Sequence, residues 1–308
     1  LQLIQMHMLG ANHQGRPLSI LIPGPTGVGK TQSILSFSRY SGLPVFEIEG
    51  SQYTEPHSGS KWTGSPPGYV GADKGDLFLF LEKYPQSIVF IDEFDKMHPT
   101  CRKLLMNLSD RGVFTAGDGT RITRPGTIII AATNAGAEKL QYGMSSGEIK
   151  SILANAFKNG DIEASPELVA RWNIQPMYGI LSDDLKNLVS KEFFDLNYRR
   201  MFAGMGIKIA EVSNELQEFA FNQAIKSCIS KRSKSSIGFI NKTEENLRPD
   251  TYGVRYHDLR QVQRVVTNLV QPAIIDLISK DFQESTHHNH LTEIRLELKD
   301  QGVIFKEL

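Results

Sequence analysis

This sequence has few cysteines, no net charge and no long apolar runs. Its two cysteines among 308 residues cannot form a disulfide framework, and it contains no Cys-x-x-Cys pair. Two free thiols are typical of a reducing compartment, so we expect a cytoplasmic location. The 34 Lys and Arg residues balance 34 Asp and Glu residues, which excludes a chain that is basic throughout and coats nucleic acid.

The apolar runs are also short. Ile128–Ala132 and Ile88–Ile91 fall far below the ~18 residues of a membrane helix, so we expect no membrane partner. The segment Leu1–Leu9 has neither the basic stretch nor the small-residue cleavage site of a signal peptide. With 40% hydrophobic and 22% charged residues, the composition predicts a globular chain with a core, rather than a disordered tail or a coiled coil.

Short apolar segments alternate with amphipathic ones through the first part of the chain. Segments rich in Ile, Val and Phe are typical of strands buried on both faces of a parallel sheet: Leu18–Ile22, Val45–Ile48, Ser87–Ile91 and Thr127–Ala132. Helical patterns lie between them, at Lys30–Tyr40, Asp76–Tyr84 and Pro99–Asp110. This alternation predicts an α/β sandwich with right-handed crossovers. Val113–Thr123 is predicted as a hairpin that turns at Gly117-Asp118-Gly119.

The pattern changes near Met177–Ile180, where we place a domain boundary. It separates a large domain, residues 1–178, from a smaller α+β domain, residues 179–308. In the smaller domain we predict helices at Asp183–Phe202, Asn214–Lys231 and Tyr256–Ser279, and strands at Ile207–Val212, Glu293–Leu298 and Val303–Lys306. The polar stretch Lys231–Pro249 is interpreted as a surface loop.

The strongest motif is GPTGVGKT, which follows a predicted strand and precedes a predicted helix. It matches the phosphate-binding loop of P-loop proteins, in which glycines let backbone N–H groups surround phosphate oxygens at a helix N-terminus. We expect Lys30 to reach the β- and γ-phosphates and the Thr31 hydroxyl to bind Mg²⁺. The predicted nucleotide-binding residues are Gly24, Pro25, Thr26, Gly27, Val28, Gly29, Lys30 and Thr31, with Asp92.

The second motif is IVFIDEFDK, an apolar strand that ends in two carboxylates. Strand C-termini are where an open α/β sheet places its site. Asp92 is predicted to hold Mg²⁺ through water, and Glu93 to orient and polarise the attacking water. A further predicted strand ends in Thr133-Asn134, and Asn134 is expected to help place the same water. These assignments predict a hydrolase rather than a nucleotide sensor.

Four segments together resemble a known family. GPTGVGKT, GSPPGYVG (Gly64–Gly71), IDEFDKMHP (Ile91–Pro99) and the Thr133-Asn134 pair are similar to the Clp family of AAA+ protein-remodelling ATPases. The resemblance is to the module that forms the second ring of two-ring disaggregases and unfoldases. It implies a P-loop AAA+ sandwich with a lid domain, ATP and Mg²⁺ as cofactors, and a homo-oligomeric ring, which family resemblance makes a hexamer.

The resemblance also assigns roles to further residues. It implies that Arg171 is an arginine finger reaching the γ-phosphate of a neighbouring subunit, and that Arg255 is the second sensor on the lid side. It implies that Tyr69, with Val70, grips a threaded polypeptide substrate in a pore loop. The Gly117-Asp118-Gly119 turn takes the place of the second pore loop.

The sequence departs from the family pattern at several points. Ala170 stands where the family has Asn before the finger, and Ala72-Asp73-Lys74-Gly75 replaces an acidic, Gly-rich stretch. Ile237-Gly238-Phe239 matches a peptidase-docking tripeptide, but it lies beyond Arg171 instead of before it, so we expect no peptidase docking. Nothing resembles an N-terminal substrate domain or a first ring, which leaves a fragment or a compact one-ring protein as expectations.

Three functions are consistent with these motifs. The leading one is an ATP-driven protein unfoldase or disaggregase. A nucleic-acid motor, of helicase or clamp-loader type, shares the same core, but its channel usually presents Lys and Arg to phosphates, and only Lys61 and Lys74 are basic around Tyr69. A nucleotide-dependent assembly scaffold is disfavoured because a scaffold needs no complete hydrolytic set, which is present here as Lys30, Thr31, Asp92, Glu93 and Arg171.

Overall fold

The chain forms two compact units, Leu1–Tyr178 and Gly179–Leu308. The computed structural model describes residues 2–10, 15–65, 74–141, 143–159, 169, 171–181, 207–230, 255–256, 263–272, 292–299 and 302–307. The assignment of the first unit to nucleotide binding and of the second to a lid stays a prediction.

The first unit is built on a parallel sheet of five strands. The strands of this unit are β1 (Leu18–Pro23), β2 (Val45–Glu49), β3 (Ile88–Asp92), β4 (Val113–Thr115), β5 (Arg121–Thr123), β6 (Ile128–Thr133) and β7 (Asn173–Ile174). The sheet order is β2-β3-β6-β1-β7, and every neighbouring pair is parallel. The predicted α/β fold is therefore confirmed. Strands β4 and β5 form the predicted antiparallel hairpin outside this sheet.

Helices connect the strands of the first unit. They are α1 (Gln2–Met8), α2 (Lys30–Ser41), α3 (Ser60–Thr63), α4 (Asp76–Lys83), α5 (Pro99–Arg111) and α6 (Ser146–Asn159). The predictions of α2, α4 and α5 are confirmed to within two residues at each end. Helix α5 has Pro99 in its first turn, where a missing N–H costs nothing, and Gly112, with φ 63°, follows its last residue and ends the helix.

The sheet is buried on both faces, as its apolar strands predict. Alternate residues of one strand enter different core clusters, so Val89 and Ile91 of β3 pack on one side while Ile88 and Phe90 pack on the other. The strand ends are therefore the parts of the sheet at which polar side chains collect. Because all five strands are parallel, their carboxyl ends form one edge and their amino ends form the opposite edge; we call these the carboxyl edge and the amino edge.

The second unit contains two small sheets among its described residues. Strands β9 (Ile207–Val212), β11 (Thr292–Lys299) and β12 (Gly302–Glu307) are arranged in the order β12-β11-β9. Strand β8 (Ile180–Leu181) pairs antiparallel with β10 (Arg255–Tyr256). A helix at Asn214–Ser230 and a helical segment at 263–272 complete this list.

One prediction in the second unit is wrong. The helix predicted at Tyr256–Ser279 starts too early, because Tyr256 and the preceding Arg255 form a strand that pairs with Ile180 and Leu181, whereas residues 263–272 are helical. An aromatic residue beside apolar partners favours extended pairing over helix formation. The predicted helix Asp183–Phe202 and the loop Lys231–Pro249 lie outside the described residues. Among the helices that the structure describes, none has the length and apolarity needed to cross a bilayer.

Candidate nucleotide site

The loop between β1 and α2 has the shape that phosphate binding requires. Gly27 and Gly29 have φ of 81° and 93°, a conformation that favours glycine. Gly24 is required for a different reason: a Cβ atom there would lie 2.4 Å from the carbonyl oxygen of Met177. Met177 approaches so closely because its N–H donates a 2.9 Å hydrogen bond to the Pro23 carbonyl. The loop therefore turns tightly, and its backbone N–H groups are available at the start of α2.

Lys30 lies inside this loop with its side chain almost fully buried. Its ammonium donates to the carbonyl oxygens of Gly24 at 2.6 Å and Pro25 at 2.9 Å. It also donates to Oδ1 of Asn134 at 2.8 Å. The structure thus brings together two residues that the sequence predicted for one site, although Lys30 begins α2 and Asn134 follows β6. A buried ammonium at the start of a helix is suited to contact a polyanionic ligand such as a triphosphate.

Thr31 and Asp92 form the second contact of the site. The Thr31 hydroxyl donates to Oδ2 of Asp92, and the backbone N–H of Glu93 donates to Oδ1 of Asp92 at 2.9 Å. A hydroxyl and one carboxylate oxygen side by side are ligands that Mg²⁺ accepts together with water and phosphate oxygens. The glycine loop, Lys30 and this pair fit ATP with Mg²⁺. When bound, the ion would supply charge neutralisation of the phosphates.

Glu93 follows β3 directly and has an unusual backbone. Its φ is 51°, the only positive φ of a non-glycine residue among the described residues. The turn after β3 is crowded, because a Cβ atom on Gly50 would lie 2.3 Å from the Glu93 carbonyl oxygen. Such conformations collect at functional sites, where the surrounding structure imposes them.

Two charged side chains lie beside the Glu93 carboxylate. The Lys96 ammonium contacts its Oε1 at 2.7 Å, and this hydrogen bond lowers the pKa of Glu93. Glu49 ends β2 close to Glu93, and the Ser51 hydroxyl donates to Oε1 of Glu49 at 3.2 Å. Burial, followed by the contact with Glu93, raises the pKa of Glu49. The nearby Lys96 ammonium therefore favours the ionised form of Glu93.

Asp95 fixes the position of Asn134 relative to β3. Its Oδ1 accepts from the Thr133 hydroxyl at 2.7 Å and from the Asn134 N–H at 3.1 Å. The ends of β3 and β6 are therefore tied together by side chains as well as by the sheet. Beside them lies a cavity of about 260 Å³, lined among others by Thr31, Glu49 and Asp92.

Arg171 does not join this cluster. It precedes β7, and Asn173 of β7 pairs with Ile20 near the start of β1, so Arg171 lies at the amino edge. A strand such as β1 spans about 17 Å at ~3.3 Å per residue, which separates Arg171 from the phosphate loop of its own chain. The side chain is half exposed and forms an ion pair with Asp110.

Comparison with known proteins agrees with this arrangement. Residues 16–175 match the family model of the AAA domain (Cdc48 subfamily), a region that covers more than half of the chain. The chain belongs to this AAA family. Its relatives include the chaperone protein ClpB of Prochlorococcus marinus, 31% identical over 222 residues, which are 68% of this chain and 25% of that protein.

Other ClpB chaperones give similar values. ClpB of Helicobacter hepaticus is 29% identical over 218 residues, covering 69% of this chain and 25% of the relative. ClpB of Wolinella succinogenes is 36% identical over 142 residues, covering 44% and 17% respectively. The chain spans about a quarter of the length of the first two relatives. The resemblance to Clp-type AAA+ ATPases is confirmed, and the chain is a P-loop ATPase.

Some predicted site residues of this AAA domain are not described. Tyr69 and Val70 lie in the segment 66–73, outside the described residues, as does the tripeptide at 237–239. The backbone of Arg255 is described as part of β10, but its side chain is not. The two ends of segment 66–73 are described: Gly64 pairs with Lys74, and the Gly117 N–H donates to the Thr63 carbonyl at 2.7 Å.

Sequence reasoning missed four side chains of this AAA domain that contact predicted site residues. They are Glu49, Asp95, Lys96 and Asp110. For Glu49 a signal existed, because it ends a predicted strand and the carboxyl ends of parallel strands meet at one edge. Asp95 and Lys96 lie within the IDEFDK motif itself. Asp110 had no signal, since its contact with Arg171 joins distant parts of the chain.

Proposed function

We propose that this chain is the ATP-hydrolysing ring module of a protein unfoldase or disaggregase. The observation that carries the proposal is the division of the hydrolytic set between two edges of one sheet. Lys30, Asp92, Glu93 and Asn134 lie at the carboxyl edge, whereas Arg171 lies at the amino edge. A set divided in this way is complete only where two copies meet.

Within one copy, each side chain at the carboxyl edge has a separate task. Lys30 would bind the β- and γ-phosphates of ATP, and the glycine loop would surround them with backbone N–H groups. Thr31 and Asp92 would hold Mg²⁺. Glu93, kept ionised by Lys96, would orient and polarise the attacking water, with Asn134 as a second contact.

Between copies, the proposed contact is Arg171 on the γ-phosphate of a neighbour's nucleotide. A guanidinium fork stabilises the charge that develops on the transferred group, and arginine fingers contribute about 10³-fold or more in turnover. We propose a homo-oligomeric ring, a hexamer by likeness to the Clp family. Arg255 would contact the nucleotide from the second unit, which would act as a lid.

The proposed substrate is a polypeptide threaded through the ring and gripped by Tyr69 and Val70. Support comes from the charges at the ends of segment 66–73. Lys74 pairs with Glu82 at 2.9 Å, and the Lys61 ammonium lies 5.9 Å from the centre of the Tyr53 ring. These are the only two basic residues close to Tyr69 in the sequence, and one of them is paired with a carboxylate, which favours a grip on polypeptide over a channel that offers many cations to nucleic-acid phosphates.

The first experiment compares stimulation of ATP hydrolysis by an unfolded polypeptide and by single-stranded DNA. We expect the polypeptide alone to stimulate. Stimulation by DNA alone would favour the nucleic-acid motor, and stimulation by neither, with steady nucleotide-dependent assembly, would favour an assembly factor. Cytoplasmic location and independence from a partner peptidase belong to the same proposal.

Tyr69→Ala tests the grip itself. It should keep nucleotide binding, assembly and much of the basal hydrolysis, yet unfold a tagged fluorescent protein poorly, because about 1–3 kcal/mol of aromatic contact is lost. Tyr69→Phe should keep most of the unfolding, since the ring makes the contact. The decisive quantity is unfolding per ATP consumed, and an unchanged ratio in Tyr69→Ala would contradict threading by this residue.

Mixing two inactive variants tests the shared site. Arg171→Ala supplies an intact carboxyl edge, and Glu93→Gln supplies an intact Arg171. Mixed assemblies should recover part of the hydrolysis that each variant lacks alone. Full activity of a dilute sample that is monomeric by sedimentation would contradict a site divided between copies.

A further inference from the structure

The Arg171 side chain is held by one carboxylate at the amino edge. Its Nη1 donates to Oδ2 of Asp110, which lies in the last turn of α5. The Arg171 side chain is 50% exposed and that of Asp110 is 29% exposed. An ion pair this accessible contributes little to folding stability, because water screens both charges. The contact therefore calls for an explanation other than stability.

Residues close to each partner of the ion pair are hydrogen-bonded to the same residue of β1, Ser19. The Ser109 hydroxyl, next to Asp110, is hydrogen-bonded to the buried Ser19 hydroxyl at 2.6 Å. On the other side, the Asn173 amide donates to the Ser19 carbonyl at 3.2 Å, two residues after Arg171. Ser19 thus fixes the end of α5 and the start of β7 to one point of the sheet. Asp110 and Arg171 therefore extend toward each other from two segments that are both hydrogen-bonded to Ser19.

Because a guanidinium is planar, a single contact with Asp110 can fix the orientation of its other N–H groups. Arginine has five N–H donors in a rigid plane, and the Asp110 bond uses one of its two terminal nitrogens. The other nitrogens remain in a fixed plane beside a cavity of about 390 Å³, which Arg16 and Asn173 also line. A held guanidinium loses less side-chain freedom when it meets a phosphate than a free one does.

We propose that Asp110 is a positioning residue that aims Arg171 at the phosphate of a nucleotide bound to a second copy of this chain. The inference rests on the proposed ring, and it adds a residue to the shared site. Asp110 itself contacts neither nucleotide nor water in this proposal. Its effect passes entirely through the orientation of Arg171.

The test measures ATP turnover and KM in assembled rings of four variants: Asp110→Asn, Asp110→Glu, Arg171→Ala, and Asp110→Asn combined with Arg171→Ala. We expect Asp110→Asn to lower kcat about tenfold with KM for ATP unchanged, since misplacement of a catalytic group by ~1 Å costs up to about 10²-fold. Asp110→Glu should recover part of the loss. In the Arg171→Ala background, Asp110→Asn should have no further effect.

Controls separate failure of this inference from failure of the proposed function. Glu138→Gln removes an exposed carboxylate elsewhere and should match the parent chain, while sedimentation and thermal unfolding check that every variant assembles and folds. Full turnover of Arg171→Ala would overturn the shared site and the inference with it. If Arg171→Ala lowers ATP turnover but Asp110→Asn does not, the inference about Asp110 is overturned while the shared site stands. An equal loss from Asp110→Asn in both backgrounds would also overturn it, because it would assign Asp110 a structural role.

Discussion

The two edges of the central sheet are built in opposite ways. At the carboxyl edge, polar side chains are bonded to one another: Lys30 to Asn134, Thr31 to Asp92, and Asp95 to the end of β6. At the amino edge, Arg171 has a single carboxylate partner among the contacts described and is half exposed. At the carboxyl edge the polar side chains are hydrogen-bonded to one another, whereas the amino edge presents a half-exposed cation.

The proposed function gives a reason for this difference. Buried polar groups must be satisfied within the chain, so a site that encloses phosphates fixes its own side chains. A group that acts on another copy has to remain accessible, and it can be positioned only by contacts at its base. Changes at the carboxyl edge should therefore affect one chain's own nucleotide, whereas changes at the amino edge should affect a neighbour's turnover.

The largest effect is expected from Lys30→Ala at the carboxyl edge. It removes the ammonium that bonds Gly24, Pro25 and Asn134, and with it the cation that would face the phosphates. Nucleotide binding should be lost, as measured by titration with a fluorescent ATP analogue. Lys139→Ala, an exposed lysine, is the matched control. Retained affinity in Lys30→Ala would contradict the placement of ATP at this edge.

A large effect on turnover alone is expected from Glu93→Gln. The amide keeps the size of the side chain but cannot act as a base, and general-base catalysis contributes about 10²-fold or more. ATP affinity should remain close to that of the parent chain, because Lys30, Thr31 and Asp92 are unchanged. Single-turnover hydrolysis checks this prediction. Equal turnover of parent and variant would remove Glu93 from the catalytic set.

A moderate effect is expected from Gly24→Ala. The added methyl would lie 2.4 Å from the Met177 carbonyl oxygen, which is backbone and cannot rotate away. Overpacking of this kind costs about 1–3 kcal/mol, so the free energy of unfolding in urea should fall. ATP affinity should fall with it, as the loop is displaced.

Gly147→Ala is the control for this change, because its nearest neighbour lies 4.0 Å away and Gly147 is in helix α6. Helical alanine is favourable, so that variant should not be destabilised. Equal stability of Gly24→Ala and the parent chain would show that the close approach of Met177 is not a constraint.

Sequence reasoning located the carboxyl edge better than the rest of the molecule. Lys30, Thr31, Asp92 and Glu93 lie in contiguous motifs that follow strong strand patterns, so local signals sufficed. Helix α6 was missed although Ser145-Ser146-Gly147-Glu148 has the form of a capping box. The ion pair of Asp110 could not be predicted, because it depends on how α5 and β7 meet on β1, which is a tertiary property.

The strand β10 was also not predicted, because it too depends on contacts between distant segments. The segment around Arg255 has no strong period of its own, and its strand is set by pairing with Ile180 and Leu181 in a distant part of the sequence. Short strands such as β7 and β8, of two residues each, leave no pattern to recognise. What sequence predicts well here is therefore local chemistry, and what it misses is contact between distant segments.

The smallest effect is expected outside both edges, at the capping box of α6. The Glu148 carboxylate accepts from the Ser145 N–H at 2.8 Å and from its hydroxyl at 2.7 Å, and these bonds lower the pKa of Glu148. A carboxyl with a lowered pKa stabilises the fold above its ordinary pKa, and this contribution is lost as the pH falls through the folded-state value. Glu148→Gln should therefore lower the free energy of unfolding slightly at pH 7, and the difference from the parent chain should vanish in acid. Urea unfolding at several pH values measures it, with Glu138→Gln as the exposed control and ATP turnover expected to stay unchanged. If Glu148→Gln instead slowed turnover while stability held, the division of function between the two edges would be incomplete, since α6 would then contribute to hydrolysis.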